Sequence, residues 1–538
     1  MFSECYILLL QRQFAMIDKS GDIICTTLST SLTLSLPSAP GRQVTKYLVR
    51  YEERCGRLLV AATDIRAGEV VFSDIAAATG PDNNPRPVCL VCCARLVRGH
   101  VVTCHTCGWP LCSAACRENI GPHHRECELF RKHGIKFDIN DIKTTCPSYN
   151  AIMVLRLLWL KDNDRETWEK IDMLMDHRED NAQETTNAEE RVITFIRVFC
   201  RLSQFSRDLV LRVIGIIDTN SYIIGENKNK NVDIQGLFPT CSIINHSCQA
   251  NTVCFATDDF RFICRAVADI PRGAEITTNY LYYQYHSFGN TYRVSELQDY
   301  WHFTCTCARC ADQGELGAGV DRVLCSACGQ HTLTPSPGPQ HYSASTWSCH
   351  ARDCSNTESG SEIAARIDET WNFLQENVWT NLSGQISILE SLLQYYGERH
   401  YYVMELKRRI IELIGEDDNS YNSVDEEILE KKLVYCKEHL KLCDILTPGL
   451  TEYRAYFSFH YAETLHATMS RGFMKSDPEA LSSLVDHLDT VILIWSDYRQ
   501  GSLEREKVEL AKILKQEINS QLPGNIISCC ENAVIKFA

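Results

Sequence analysis

The chain has 538 residues, 44% of them hydrophobic and 23% charged, and carries a net charge of -15 at pH 7. That length holds two to four domains, and the balance is that of a folded globular chain. The acidity argues against nucleic-acid binding over the whole surface, which needs a basic face, and no apolar run reaches the roughly 18 residues of a membrane span. The apolar stretch from Tyr6 to Leu10 follows an acid and no basic cluster, so it reads as a poor export signal. The 28 cysteines then suggest a reducing compartment and metal binding rather than a disulfide framework.

Residues 1–43, with a Ser/Thr/Leu-rich stretch at 27–39, read as a flexible leader. Alternation over 46–79, broken at Gly56 and Gly68, predicts short strands, and 80–88 reads as a linker. Then come eight metal-type ligands in one run: Cys89, Cys92, Cys104, Cys107, Cys112, Cys116, His123 and Cys127. Eight ligands make two tetrahedral zinc sites, and a module this short draws much of its folding energy from metal. Between 89 and 136 lie seven basic residues against three acids, a local patch on an acidic chain.

A helical period runs through 150–217, with Ile152, Leu155 and Trp159, then Ile193, Ile196, Phe199 and Leu202, then Leu209, Val213 and Ile217. Short β-type runs follow over 219–280, broken by the polar stretch 226–231. Cys305, Cys307 and Cys310 supply three thiolates. A closed site needs a fourth ligand, and Cys248 is the candidate. Cys325, Cys328, Cys349 and Cys354 have a loose zinc-ribbon spacing, with His350 as an alternative donor. From about 362 the pattern is helical to the end. Leu450, Tyr453, Phe457 and Tyr461 mark one face, and breaks near Gly415, Pro448, Gly449 and Gly501 leave hairpin-length helices.

This order of segments resembles the SET- and MYND-domain (SMYD) protein-lysine methyltransferases. The ligand run 89–127 resembles a MYND finger, although the step from Cys116 to His123 is one residue short, which makes His124 a competitor. The stretch Asp218 to Tyr222, the stretch Gly236 to Pro239 followed by Ile243 to Asn251, the stretch Gly273 to Tyr280, and the stretch Trp301 to Cys305 are similar to the family's remaining signatures. Trp109 and Pro110 in the finger and the extra cluster 325–354 look like the arthropod-specific branch.

The resemblance implies an α+β multidomain chain. A mostly β SET core (44–88 and 219–280) is split by the finger (89–127) and a helical insert (128–218). Next come a post-SET segment (281–310), a zinc-ribbon-like module (311–360) and an all-α, tetratricopeptide-like domain (361–538). It implies methyl transfer from S-adenosylmethionine to histone or non-histone lysines. Gly56, Arg57, Asn220, Asn245, the backbone of His246, Tyr280 and Phe303 would hold the donor, and Tyr280 would be the catalytic residue. It implies two zinc ions in the finger, one in the post-SET segment and one at Cys325–Cys354. Implied partners are lysine-bearing proteins, proline-containing peptides at the finger, and a chaperone or corepressor at the helical domain, in cytoplasm and nucleus, with no membrane and no direct nucleic-acid contact. One departure stands out. Aligned through Arg66 to Glu69, the family's second loop glycine is Leu58 here. A side chain there is expected to crowd the donor. That supports an alternative, a catalytically weak SET–MYND adaptor or transcriptional corepressor.

Overall fold

The computed structural model describes residues 45–521, apart from 54, 82–86, 98, 138–146, 179–184, 226–233, 313, 331, 336–344, 378–379 and 416–419. The leader 1–43, the polar stretch 226–231 and the end of the helical tail, 522–538, lie outside the described residues.

Short strands build the first half. β1 (Tyr47–Glu52) and β2 (Gly56–Ala61) form a tight hairpin. Gly56 turns it at φ +73, a left-handed conformation that a side chain disfavours. β3 (Val70–Ile75) and β4 (Ala78–Pro81) follow. The linker expected at 80–88 therefore begins as strand. Gly80 and Pro81 pair with Gln235 and Ile234, and Val88 is buried beside Cys89. Its Gly/Pro composition masks a short strand whose pairing partner is distant in sequence. β5 (Val102–Thr103) and β6 (Pro110–Leu111) make a small ribbon inside the cysteine-rich module.

Helices fill the insert, over Ala151–Asn163, Arg165–Asp172, Asn187–Thr194 and Arg207–Asn220. The first is apolar nearly all round and runs through the core that also buries Trp109, Phe130 and Leu111 of the cysteine-rich module. A helix without a polar face must be covered on every side, and here the module supplies the cover.

The chain then returns through β7 (Ser221–Gly225), β8 (Ile234–Leu237), β9 (Asn245–His246), β10 (Thr252–Ala256), β11 (Arg261–Ala266) and β12 (Glu275–Thr278). Three small sheets result, ordered β1-β2-β12-β9, β10-β11-β3 and β4-β8-β7. The first two share a core of Leu59, Ile65, Val71, Ile244, Cys264 and Ile276, while the third packs through Ile224, Ile234 and Phe238 against Phe262. β9 is parallel to β12, so the stretch around Asn245 lies beside the one leading to Tyr280. β13 (Leu333–Pro335), β14 (Thr346–Cys349) and β15 (Thr357–Ser359) make a separate sheet around Trp347.

Among the described residues seven helices follow between Gly360 and Gln521. The helix Glu452–Ser470 was expected to show one apolar face. Instead it is buried around its circumference, Ser458, His460 and Thr464 included, because it packs between Glu426–Leu446 and Pro478–Trp495. The helices dock on the sheets. Phe255 stacks on Tyr498 at 4.2 Å, Arg265 pairs with Asp497, and Leu450 N–H donates to the Val267 carbonyl at 2.8 Å. Gly449 permits that approach, since a Cβ there would sit 2.1 Å from the Val267 oxygen. Among the described residues no helix is long and apolar enough to cross a membrane.

Candidate functional site

Sixteen of the expected ligands converge in four groups. They are Cys89, Cys92, Cys112 and Cys116; Cys104, Cys107, His123 and Cys127; Cys248, Cys305, Cys307 and Cys310; and Cys325, Cys328, Cys349 and Cys354. Within each group the ligand atoms lie within 4.8 Å of one another. Zinc–sulfur bonds of about 2.3 Å in a tetrahedron place sulfurs about 3.8 Å apart, whereas a disulfide needs about 2.05 Å. The observed separations include 3.5 Å for Cys92 to Cys112, 3.8 Å for Cys104 to Cys127, 3.5 Å for Cys248 to Cys310 and 3.7 Å for Cys325 to Cys354. The donor sets fit tetrahedral zinc.

His123, not its neighbour His124, joins the second group. Its Nε2 lies 3.4 Å from Cys107 Sγ, and its Nδ1 lies 2.9 Å from Glu126 Oε1. Glu126 is gripped in turn by Arg156 through Nε at 2.9 Å and a second nitrogen at 2.7 Å. Burial pushes the Glu126 carboxyl up, but Arg156 and His123 outweigh it and hold it below the ordinary value. A ligand histidine backed by a carboxylate is oriented and made more basic. His124 instead turns outward, Nδ1 on the Gly121 carbonyl. Sequence reading missed Glu126 and Arg156. The one available signal was the three-residue step from His123 to Glu126 at the start of a helix. His350 is exposed and stands outside the fourth group.

The third group is backed by charge. Arg293 is fully buried, with Nε 3.2 Å from Cys248 Sγ and another nitrogen 3.4 Å from Cys310 Sγ. Glu315 takes hydrogen bonds from Arg293 at 2.9 and 3.0 Å and from Arg309 at 2.6 Å. Two buried cations share one carboxylate, and the thiolates of the cluster are the remaining negative charge. No periodicity or motif announced this triad.

Beside this cluster opens a cavity of about 1900 Å³. It brings Gly56, Arg57, Asn220, Asn245, His246, Tyr280 and Phe303 to one wall system. Asn245 Nδ2 donates to Glu275 Oε1 at 2.9 Å, which fixes its amide. Asn220 Nδ2 donates to the carbonyls of Met175 and Ile216 at 2.8 and 2.9 Å, so a ligand would meet its oxygen. Tyr280 donates its hydroxyl hydrogen to the Ile244 carbonyl at 2.6 Å. Burial above all, with Glu275 nearby, raises that hydroxyl above its ordinary pKa, so it stays protonated. Trp301 and Phe303 lie against Tyr280, with centroids at 5.4 and 6.2 Å. Arg57 donates to the Met173 carbonyl, while its buried Nη1 has no hydrogen-bond partner among the described residues.

Leu58 departs from expectation. It is 3% exposed and is not among the described residues lining the cavity. It sits inside β2, where successive side chains point to opposite faces, and its side chain packs into the protein rather than into the cavity.

A family model for the SET domain matches residues 56–281. That span holds β2 through Leu281 and hence most of the cavity's β-sheet walls, so this part of the chain is a SET domain. The chain is 26% identical over 363 residues to the SET domain-containing protein SmydA-8, isoform A, of Drosophila melanogaster, covering 66% of this chain and 75% of that one. It is 24% identical over 279 residues to the human histone-lysine N-methyltransferase SMYD1, covering 47% and 54%. It is 28% identical over 273 residues to the human histone-lysine N-methyltransferase SMYD3, covering 48% and 60%. The chain is thus homologous to the SMYD proteins through its SET domain, and lysine methyl transfer is the activity that goes with that homology at family level.

Proposed function

We propose that this protein is a protein-lysine N-methyltransferase using S-adenosylmethionine. The observation that carries the reading is the hydroxyl of Tyr280, pinned to the Ile244 carbonyl in the same cavity as Gly56, Arg57, Asn245 and Phe303. S-adenosylmethionine, when bound, supplies an electrophilic methyl group on a sulfonium centre. The donor set suits such a ligand. The unpartnered Arg57 Nη1 offers a hydrogen bond to a carboxylate. A Cβ built on Gly56 meets nothing within 4 Å, so that end is open. The rings of Tyr280, Trp301 and Phe303 offer π faces and edges to a cation and an adenine. Tyr280, protonated and fixed, positions groups by its oxygen and is not a base. The lysine must arrive deprotonated, which a dry channel favours. Glu504 lines the same cavity toward the helical domain and offers a carboxylate to a basic peptide.

Gly56, Arg57, Asn220, Asn245, the His246 backbone and Phe303 are assigned to the donor and Tyr280 to the reaction. Three zinc ions are assigned to the MYND-type finger (two) and the post-SET cluster (one), and a fourth to Cys325–Cys354. Proline-containing peptides at the finger, a chaperone or corepressor at the helices, residence in cytoplasm and nucleus, and descent in the arthropod branch complete the reading. The test is transfer of labelled methyl from S-adenosylmethionine to a panel of histones and other proteins. Tyr280→Phe should lower kcat by about 100-fold or more if the hydroxyl acts as positioned. Transfer that is undiminished in Tyr280→Phe, or absent in the native protein across the panel, counts against the reading.

A further inference from the structure

The parallel ladder between β9 and β12 ends at Thr278, paired with His246, and the Ser247 N–H closes it on the Thr278 carbonyl at 3.0 Å. Two residues on, the Tyr280 N–H lies beyond the ladder. Its acceptor is a side chain, Nδ1 of His246, at 3.0 Å. With Nδ1 accepting, the ring proton sits on Nε2, and Nε2 lies 3.2 Å from Cys248 Sγ. One imidazole thus bonds on one side to a thiol of the post-SET cluster and on the other to the backbone of the residue at the centre of the cavity. Its face also meets Tyr280 and Phe303, with centroids at 5.2 and 5.9 Å.

We infer that His246 is a positioning residue whose side chain ties the placement of Tyr280 to the metal held by Cys248, Cys305, Cys307 and Cys310. The sulfur is fixed by its metal and by Arg293 Nε at 3.2 Å. The sulfur fixes the ring, and the ring fixes the Tyr280 amide, whose side chain reaches the Ile244 carbonyl at 2.6 Å. Hydrogen bonds behind a metal ligand orient it and tune the site. Here the same bond works outward as well, from the metal toward the cavity. The consequence for methyl transfer rests on the function proposed above, and the coupling itself does not.

The test uses the full chain labelled with ¹⁵N-tyrosine, with the Tyr280 amide resonance assigned by its loss in Tyr280→Phe. Zinc is exchanged for the larger cadmium ion. In the native protein the Tyr280 amide should shift. In His246→Leu, and in His246→Asn, which keeps an acceptor near Nδ1 but withdraws the donor to sulfur, the exchange should leave that amide unmoved while total metal content stays native. His246→Asn serves if the leucine variant does not fold. An equal shift in a metal-replete variant, or no shift in the native protein, overturns the inference. Calorimetry with S-adenosylmethionine is the second readout, with binding expected to weaken about tenfold in His246→Asn. If the native protein binds no donor, the proposed function fails, and the amide result still decides the coupling.

Discussion

The post-SET cluster and the cluster at Cys325–Cys354 each gather four thiols within 4.8 Å, yet their surroundings differ. Cys248 is fully buried and takes hydrogen bonds from His246 and Arg293, with the Arg293–Glu315–Arg309 triad behind. Around Cys325 the donor is the neutral amide of Asn356 at 3.4 Å. Its neighbourhood is tied instead to the helical domain, since Glu358 accepts the Ser326 N–H and pairs with Arg366 of the first domain helix. A zinc tetrathiolate carries a double negative charge. Away from water that charge needs compensation, which an arginine gives the first cluster and an amide the second. The first cluster thus reaches the cavity wall through His246, and the second lies where a three-stranded sheet meets a helix.

The sharpest way to break this contrast is a matched pair of ligand substitutions. Cys248→Ser should remove one zinc and weaken S-adenosylmethionine binding by about 100-fold or abolish soluble expression. Cys354→Ser should also remove zinc, yet leave donor affinity within about threefold. Metal analysis and calorimetry on both proteins check it, and equal losses would erase the distinction. Next in size is Glu315→Ala, which leaves Arg293 and Arg309 buried without their carboxylate. A loss of about 3–5 kcal/mol is expected in denaturant unfolding, against a small effect for Glu362→Ala, whose exposed carboxylate accepts from the Ser359 N–H and hydroxyl at the helix cap beside the sheet of the second cluster.

The smallest effect concerns pH. Burial, then Glu504, raises the Glu452 carboxyl from its ordinary 4.5 to about 7, although Tyr498 donates to it at 2.9 Å. The folded state therefore holds this proton more tightly than the unfolded chain. The stability it lends is complete below about pH 4.5 and is lost as pH rises through about 7. Thermal midpoints should fall between pH 5.5 and 8, and Glu452→Gln should flatten that fall. A slope unchanged by the substitution would assign it to other groups.

What could be read in the sequence was what local spacing encodes. Cys-x2-Cys pairs bring thiols together through one turn, so the metal groups were visible as pairs, and the strand-rich and helical stretches followed from their periods. What could not be read depends on distant partners. β4 hides in a Gly/Pro stretch because its pairing with β8 spans a long insertion. The helix Glu452–Ser470 shows aromatics on several faces because two other helices cover it. Arg156, Arg293 and Arg309 look like surface charges until Glu126 and Glu315 arrive from elsewhere in the chain. Leu58 looked like an obstruction because the loop alignment carries no information on which way its side chain turns.

The account stands on the cavity being a methyl-donor site. The direct measurement is calorimetric titration of the folded, zinc-loaded protein with S-adenosylmethionine, native and Asn245→Ala. The account predicts saturable binding with a dissociation constant on the order of micromolar, weakened about tenfold or more in the variant. No heat of binding in native protein shown to be folded and metal-replete would contradict it.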